Sequence, residues 1–522
     1  MKFAFFLFAA CMTCGAHALT ADEARAIAIG ESDARIEALG KALATADDKT
    51  AAFLQAMADE AVKVAGDKLF IVRDGKGSDA ITGAAVAVPD DAEDVVTNNR
   101  VRSEIDSALA SLKLFSRDDA LRMAAVEQLQ KEPDESKLPM LEKALAAERN
   151  PAIRERLVLV RAAALLGSSD KAKRLEAARA LGASGIAATK TLIIERMKIE
   201  GEIDVKSALE LSLRKVDAAL AWGDRLAAIF SGISLGSILL LVALGLAITY
   251  GLMGVINMAH GELMMIGAYA TYVVQGVFRK YLPGAFDAYL IAAVPVAFLA
   301  SAAVGAILER GVIRFLYGRP LETLLATWGI SLALQQLVRT IFGAQNVGVE
   351  NPSWMSGGVA LMGNLQLPWN RIIIVAFAFA VLAAMALLIA KTRLGLFVRG
   401  VTQNRPIASC MGVNTARVDT YAFALGSGIA GLAGCALSQI GNVGPDLGQA
   451  YIVDSFMVVV LGGVGQLAGT VYAALGLGVL NKFLEGWAGA VLAKIAVLVV
   501  IIVFIQKRPQ GLFAMKGRSA EA

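Results

Sequence analysis

The sequence predicts an all-α chain built in two parts. A mainly helical, solenoid-like soluble domain with a small β-hairpin comes first, and a polytopic helical membrane domain of about nine segments follows. Three observations predict this. Hydrophobic residues make up 56% of the 522 and charged residues only 18%, a balance seldom reached by a soluble chain. The charge is unevenly spread: residues 1–225 hold 32 Lys+Arg and 36 Asp+Glu, whereas from Leu226 onward there are 18 and 10. From Ile229 onward, apolar runs follow one another at lengths near the roughly 20 residues a membrane helix needs.

Residues 1–18 read as a secretory leader. Lys2 supplies a positive start, Phe3–Ala10 an apolar run too short to span, and Ala16-His17-Ala18 a small-residue cleavage site. Neither Cys11 nor Cys14 follows a clean lipobox. Cleavage near Ala18 is expected to place the soluble domain, residues 19–225, in the periplasm. That domain then has no cysteine and cannot depend on disulfides. His260 becomes the one histidine left, which excludes His/Cys zinc sites and a Ser-His-Asp triad in the soluble domain.

Within the soluble domain, residues 19 to about 65 read as Ala-rich helices. Lys68–Arg73, the Asp74-Gly75 turn signal and Ala80–Val88 predict a hairpin. Helical periodicity resumes after Asn98-Asn99-Arg100: Leu121, Ala125 and Leu129 share one face, as do Leu138, Leu141 and Leu145, and Ile153, Leu157, Val160 and Ala164. Asp118, Ser136, Asn150-Pro151 and Ser169-Asp170 are start signals. Starts recur about 33 residues apart (118 to 151, 137 to 170), as in a stack of helical hairpins that docks a partner or acts as a spacer.

The membrane domain, 226–513, carries apolar segments at roughly 229–250, 257–277, 288–308, 321–342, 371–390, 419–440, 451–464, 467–485 and 489–506, of which 451–464 is short enough to be a half-span. Basic residues cluster at Arg310–Arg319, at Lys391–Arg417 and in the tail (514–522 with Lys507 and Arg508), so these ends are expected in the cytoplasm. Loop 343–370, with the single acid Glu350, is expected outside. An N-terminus outside and a C-terminus inside require an odd number of crossings, which nine satisfies.

No G-x-x-x-x-G-K-[ST] occurs, so no P-loop nucleotide site is present, and Gly75-Lys76-Gly77 is a hairpin tip. Transport energy must come from an ion gradient or a partner. An ion-coupled carrier keeps several ionisable groups in its spans, and here the candidates are Glu262, Arg339, Asp454, Glu485 and Lys494. Asn257-Met-Ala-His-Gly-Glu262 interrupts one apolar run and Leu461–Gly469 another. Paired interruptions point to a pathway between pseudo-repeats, with Asn257, His260, Glu262 and Gln466 offered to a small polar solute. The same groups can instead cap and knit broken helices, as can Gln335 and Gln336. The stretch Thr392–Asn414, containing Arg393, Gly395, Arg399, Arg405 and Gly412, is basic and amphipathic, which suits either a lipid-headgroup anchor or a helix in a partner's groove.

Taken together, Asn257–Glu262, Thr392–Asn414, Ala430-Gly-Leu-Ala-Gly434, Val460–Gly465 and Arg508-Pro-Gln-Gly-Leu512 resemble the branched-chain amino-acid (LivH-type) permeases of ABC importers over about 229–513. The N-terminal extension, with its leader and Asn98-Asn99-Arg100, is similar to the urea-importer branch. The resemblance implies a non-catalytic inner-membrane subunit with no cofactor or metal and no nucleic-acid partner. It implies four kinds of association: a second permease subunit, two ATPase subunits, a periplasmic solute-binding protein and the lipid bilayer. It also implies that Thr392–Asn414 is the segment seated in the ATPases. Urea is the expected solute, with a branched-chain amino acid or short amide as the alternative and an ion-coupled carrier or channel as a minor one.

Overall fold

A computed structural model of the chain describes residues 19–513 apart from 45–47, 74–75, 90–91, 132 and 134. The leader, the Asp74-Gly75 turn and the 514–522 tail lie outside the described residues. The chain divides into two compact units between Leu220 and Ala221.

The first unit opens with α1 (Ala21–Ala28), α2 (Ser32–Ala44) and α3 (Asp48–Ala58). Thr20 and Glu23 close a capping box at the start of α1, each side chain accepting from the other's backbone N–H. Strands β1 (Val62–Ala65), β2 (Lys68–Arg73), β3 (Lys76–Asp79) and β4 (Glu93–Asp94) form an antiparallel sheet in the order β3-β2-β1-β4. The hairpin differs from expectation on its return side. Arg73 pairs with Lys76, so the return strand is Lys76–Asp79, and within 80–88 only Ala85 makes an isolated bridge to Ser78. Two residues separate these partners, and so short a connection fixes register at once. The Asn98-Asn99-Arg100 motif has a structural task here: Asn98 caps α4 (Asn99–Lys113) through the Val101 N–H and donates to Ser32 Oγ. Phe53, Leu54, Ile27 and Ile105 centre this core.

The helical array continues through α5 (Asp119–Lys131), α6 (Leu138–Ala147), α7 (Pro151–Leu165), α8 (Lys171–Leu181), α9 (Ala187–Ile199) and the start of α10 (Ile203–Met253). Asn150 and Asp170 cap α7 and α8 from their side chains. Leu121 is exposed, unlike Ala125 and Leu129, because the inward stripe of α5 runs through Ala125, Val126 and Leu129.

Helix starts recur at the expected spacing, from α5 to α7 and from α6 to α8, and a side-chain pattern recurs at a longer one. Arg122 forks onto Glu148 and donates to the Ser116 carbonyl; Arg174 forks onto Glu200 and donates to the Ser168 carbonyl. Asp118 and Asp170 accept from the N–H groups of Ala120 and Ala172. Each member lies 52 residues from its counterpart, so the repeating unit is three helices long. The helix starts near 118 and 151 fall within one such unit. The Arg122 guanidinium, helped by the Asn150 and Arg149 N–H groups, holds the Glu148 carboxyl below the usual carboxylate range.

In the second unit, α10 ends at Met253, and α11 (His260–Tyr281), α12 (Tyr289–Gly311), α13 (Pro320–Phe342), α14 (Trp369–Lys391), α15 (Arg393–Gln403), α16 (Arg405–Cys410), α17 (Thr415–Leu437), α18 (Leu447–Gly462), α19 (Leu467–Ala488) and α20 (Ala490–Lys507) follow. All nine apolar segments are helices. Among the described residues, six helices are long and apolar enough to cross a membrane, and α18, at 16 residues, is shorter. Loop 343–370 carries an unexpected hairpin, β5 (Gly358–Met362) with β6 (Leu365–Pro368). Helices α11, α12 and α17 pack closely because Gly431, within the Ala430–Gly434 motif, lies against Gly267, Ala297 and Ser301.

Candidate functional site

Helix α10 stops at Met253, Gly254 takes a left-handed φ of 66°, and the chain is non-helical until His260. Freed backbone inside an apolar bundle must find partners, and α13 supplies them. Met258 N–H donates to Thr327 Oγ1, while Asn257 Oδ1 accepts from Ala259 N–H. Thr323, Thr327, Ser331 and Gln335, spaced by four, form the buried polar face of α13. Glu262 is aimed at that face: its Oε1 accepts from Ser331 Oγ at 2.9 Å and Gln335 Nε2 at 2.8 Å. His260 turns the other way, with Nε2 3.1 Å from the Val242 carbonyl of α10.

A second break, residues 438–446, precedes α18. The starts of α11 and α18 meet at Gly261 and Gly448, where a Cβ on either would collide with the other's backbone. Beside this junction is a cavity of about 260 Å³ lined by Asn346, Asn442, Asp446 and Tyr451.

Of the expected pathway residues, the structure gathers Asn257, His260 and Glu262 at the α11 break and sets Gln466 apart. Gln466 stands at the start of α19, and its neighbours Gly465 and Leu467 line a different cavity, of about 460 Å³, shared with Gly251, Leu394, Val398 and Arg399. Among the other candidate ionisable groups, Asp454 pairs with Lys494 and Glu485 with Lys482.

The Thr392–Asn414 stretch folds as two short helices. Thr392 caps α15 through the Gly395 N–H, and Asn404 caps α16 through the Ile407 N–H. Gly395 is needed for close approach, since a Cβ would collide with the Ile389 carbonyl. Gly412 has open space around it but a φ of 82°, so there the requirement is conformational. Arg393 and Arg399 are exposed. Arg405, expected to face a partner or lipid, instead pairs with the buried Asp419 of α17 and lies 5.2 Å from the Tyr317 ring centre.

Beside that pair, fully buried Glu309 accepts from Thr420 Oγ1 at 2.6 Å and Tyr317 OH at 3.0 Å, with Arg314 3.4 Å away. Glu309 and Asp419 escaped the sequence reading because each falls at the edge of an apolar segment. The usable signal was an acid within a turn of a basic cluster. At the opposite end of α12, Tyr289 OH donates to the Glu350 carbonyl at 2.7 Å and meets Gln439.

A bundle of apolar helices, broken twice where polar groups meet and carrying short basic helices at one end, defines a multi-pass membrane transport protein. Residues 228–506 match the family described as "Branched-chain amino acid transport system / permease component". The chain belongs to that family, and it is a non-catalytic permease component of an ABC transport system. It is 28% identical over 290 residues to the high-affinity branched-chain amino acid permease LivH of Salmonella typhimurium, covering 54% of this chain and 93% of the relative. It is 27% identical over 288 residues to BraD of Pseudomonas aeruginosa, again covering 54% and 93%. LivH of Escherichia coli K12 is likewise 27% identical over 290 residues, with the same coverage. No solved structure matches.

Proposed function

We propose that this chain is the translocating permease of an ATP-driven importer, working in the inner membrane with a second permease, two ATPase subunits and a periplasmic solute-binding protein. One observation carries the reading. Helices α15 and α16 are anchored by Arg405–Asp419 and leave Leu396, Phe397, Ile407 and Met411 exposed beside Arg393 and Arg399. Such a mixed apolar and basic face suits a groove in a partner better than a lipid surface alone. Its placement beside the buried Glu309–Thr420 contact would let movement of the partner reach α12 and α17. On this reading the basic end is cytoplasmic, and the end holding Tyr289 and Glu350 faces the binding protein.

The solute class follows the names of the relatives, a branched-chain amino acid. A second reading, urea, is favoured by one departure: the family match begins at residue 228, whereas the relatives are matched over 93% of their length, so the first unit is an addition to them. Cells lacking this chain should lose high-affinity uptake of labelled leucine and regain it with the wild-type chain. Loss of urea uptake alone would select the second reading, and loss of neither would overturn both.

A further inference from the structure

Building on the importer reading, we propose that Glu262, Tyr269 and Asp446 form an oxygen-lined subsite that takes the nitrogen end of the solute, an ammonium or a primary amide. Glu262 is 1% exposed and Tyr269 2% exposed. Glu262 spends Oε1 on Ser331 and Gln335, and its Oε2 has no partner among the described residues. Tyr269 lies two turns further along α11, on the same face. Its ring is fixed against Phe342, with centroids 4.6 Å apart, and belongs to the same apolar cluster as Val443. Its hydroxyl also has no partner among the described residues. Buried polar atoms are nearly always hydrogen-bonded, so two orphans on one helix face call for an explanation.

Asp446 supplies the link between them and open space. It lies between Val443, which shares the apolar cluster of Tyr269, and Gly448, which abuts the backbone of Gly261 and Glu262, and it lines the 260 Å³ cavity with Asn346 and Asn442. The polarity of the junction then sets the orientation of the ligand. Two helix N-termini meet at Gly261 and Gly448, and helix N-termini favour negative charge. The chain fills that role itself, with Glu262 in the first turn of α11 and Asp446 immediately before α18. A solute carboxylate arriving there would meet two carboxylates, whereas N–H donors would find a set of oxygens able to accept them. The nitrogen end therefore enters first.

The test uses the assembled importer in proteoliposomes, with labelled leucine and labelled urea as the two probes. Tyr269→Phe removes only a hydroxyl that has no partner among the described residues, and Asp446 is exposed, so neither Y269F nor D446N should impair folding. Y269F is expected to reduce uptake of the transported solute by about tenfold, the scale of one hydrogen bond, with ATP-dependence retained. If the nitrogen is an ammonium, E262Q and D446N should both abolish leucine uptake. If it is an amide, both should keep most urea uptake, because Gln and Asn still offer an accepting oxygen. A wild-type uptake rate in Y269F would overturn the subsite, whatever happens at Glu262 and Asp446. Uptake by the wild-type chain that ignores ATP would overturn the importer reading and leave the Y269F comparison intact.

Discussion

Arg405 at the start of α16 forms an ion pair with Asp419, whose side chain is fully buried in α17. This contact ties the basic segment to the bundle, alongside the buried Val401 of α15 and Ala408 of α16. Arg405→Ala leaves a buried carboxylate without its cation, a change that costs about 3 kcal/mol. Thermal unfolding in detergent should show a clearly lowered Tm for R405A and partial recovery in the R405A/D419N double variant, which removes the stranded charge. An R405A protein as stable as wild type would contradict the assignment.

Arg393 and Arg399 are exposed on α15 and remain available to a partner. Reversing both, R393E/R399E, should leave membrane insertion and Tm unchanged while abolishing stimulation of the partner ATPase by solute-loaded binding protein. Normal stimulation in that variant would mean the docking face lies elsewhere.

Glu262 holds Ser331 and Gln335 through one oxygen. Glu262→Gln keeps an accepting oxygen, whereas Glu262→Leu leaves two buried donors unpaired, at about 1–3 kcal/mol each. Thermal unfolding should therefore rank wild type and E262Q close together and E262L well below. Equal losses in E262Q and E262L would show that the charge, rather than the hydrogen bonds, is what the fold requires.

The first unit should show an acid-sensitive step traceable to Glu148. Its carboxyl titrates below the usual range in the folded chain because Arg122 and the Asn150 N–H favour the charged form. Its stabilising contribution is therefore complete above the unfolded-state value of about 4.3 and is lost as pH falls through the lower folded-state value. Hydrogen exchange of the full chain should show α5 to α7 losing protection in that window. In R122A, protection there should already be reduced at pH 7; unchanged protection would contradict the pairing.

The parts of this fold written in local pattern were legible from sequence. The nine apolar segments announced themselves by length and composition, and Asn150 and Asp170 signalled helix starts because a short polar side chain before a periodic run has one common use. Long-range pairing was not legible. Glu309 and Asp419 look like interfacial charges at segment ends until Thr420, Tyr317 and Arg405 are brought beside them from elsewhere in the chain. Gln466 groups with Glu262 in the sequence because both lie within interruptions of apolar runs, yet the helix starts that meet at Gly261 and Gly448 are those of α11 and α18. The 52-residue repeat was hidden because its signature is an arginine fork reaching a glutamate 26 residues on, a spacing that no single helix period reveals.

The central claim is that the chain moves solute only when partner ATPases drive it through the α15–α16 face. Uptake of labelled leucine and urea into proteoliposomes, measured with the permease pair alone and again with ATPases, binding protein and ATP, tests it most directly. The account predicts accumulation of one of these solutes only in the complete, ATP-supplied system, and its loss in R393E/R399E. Accumulation of either solute by the permeases alone, or in the complete system without ATP, would contradict it.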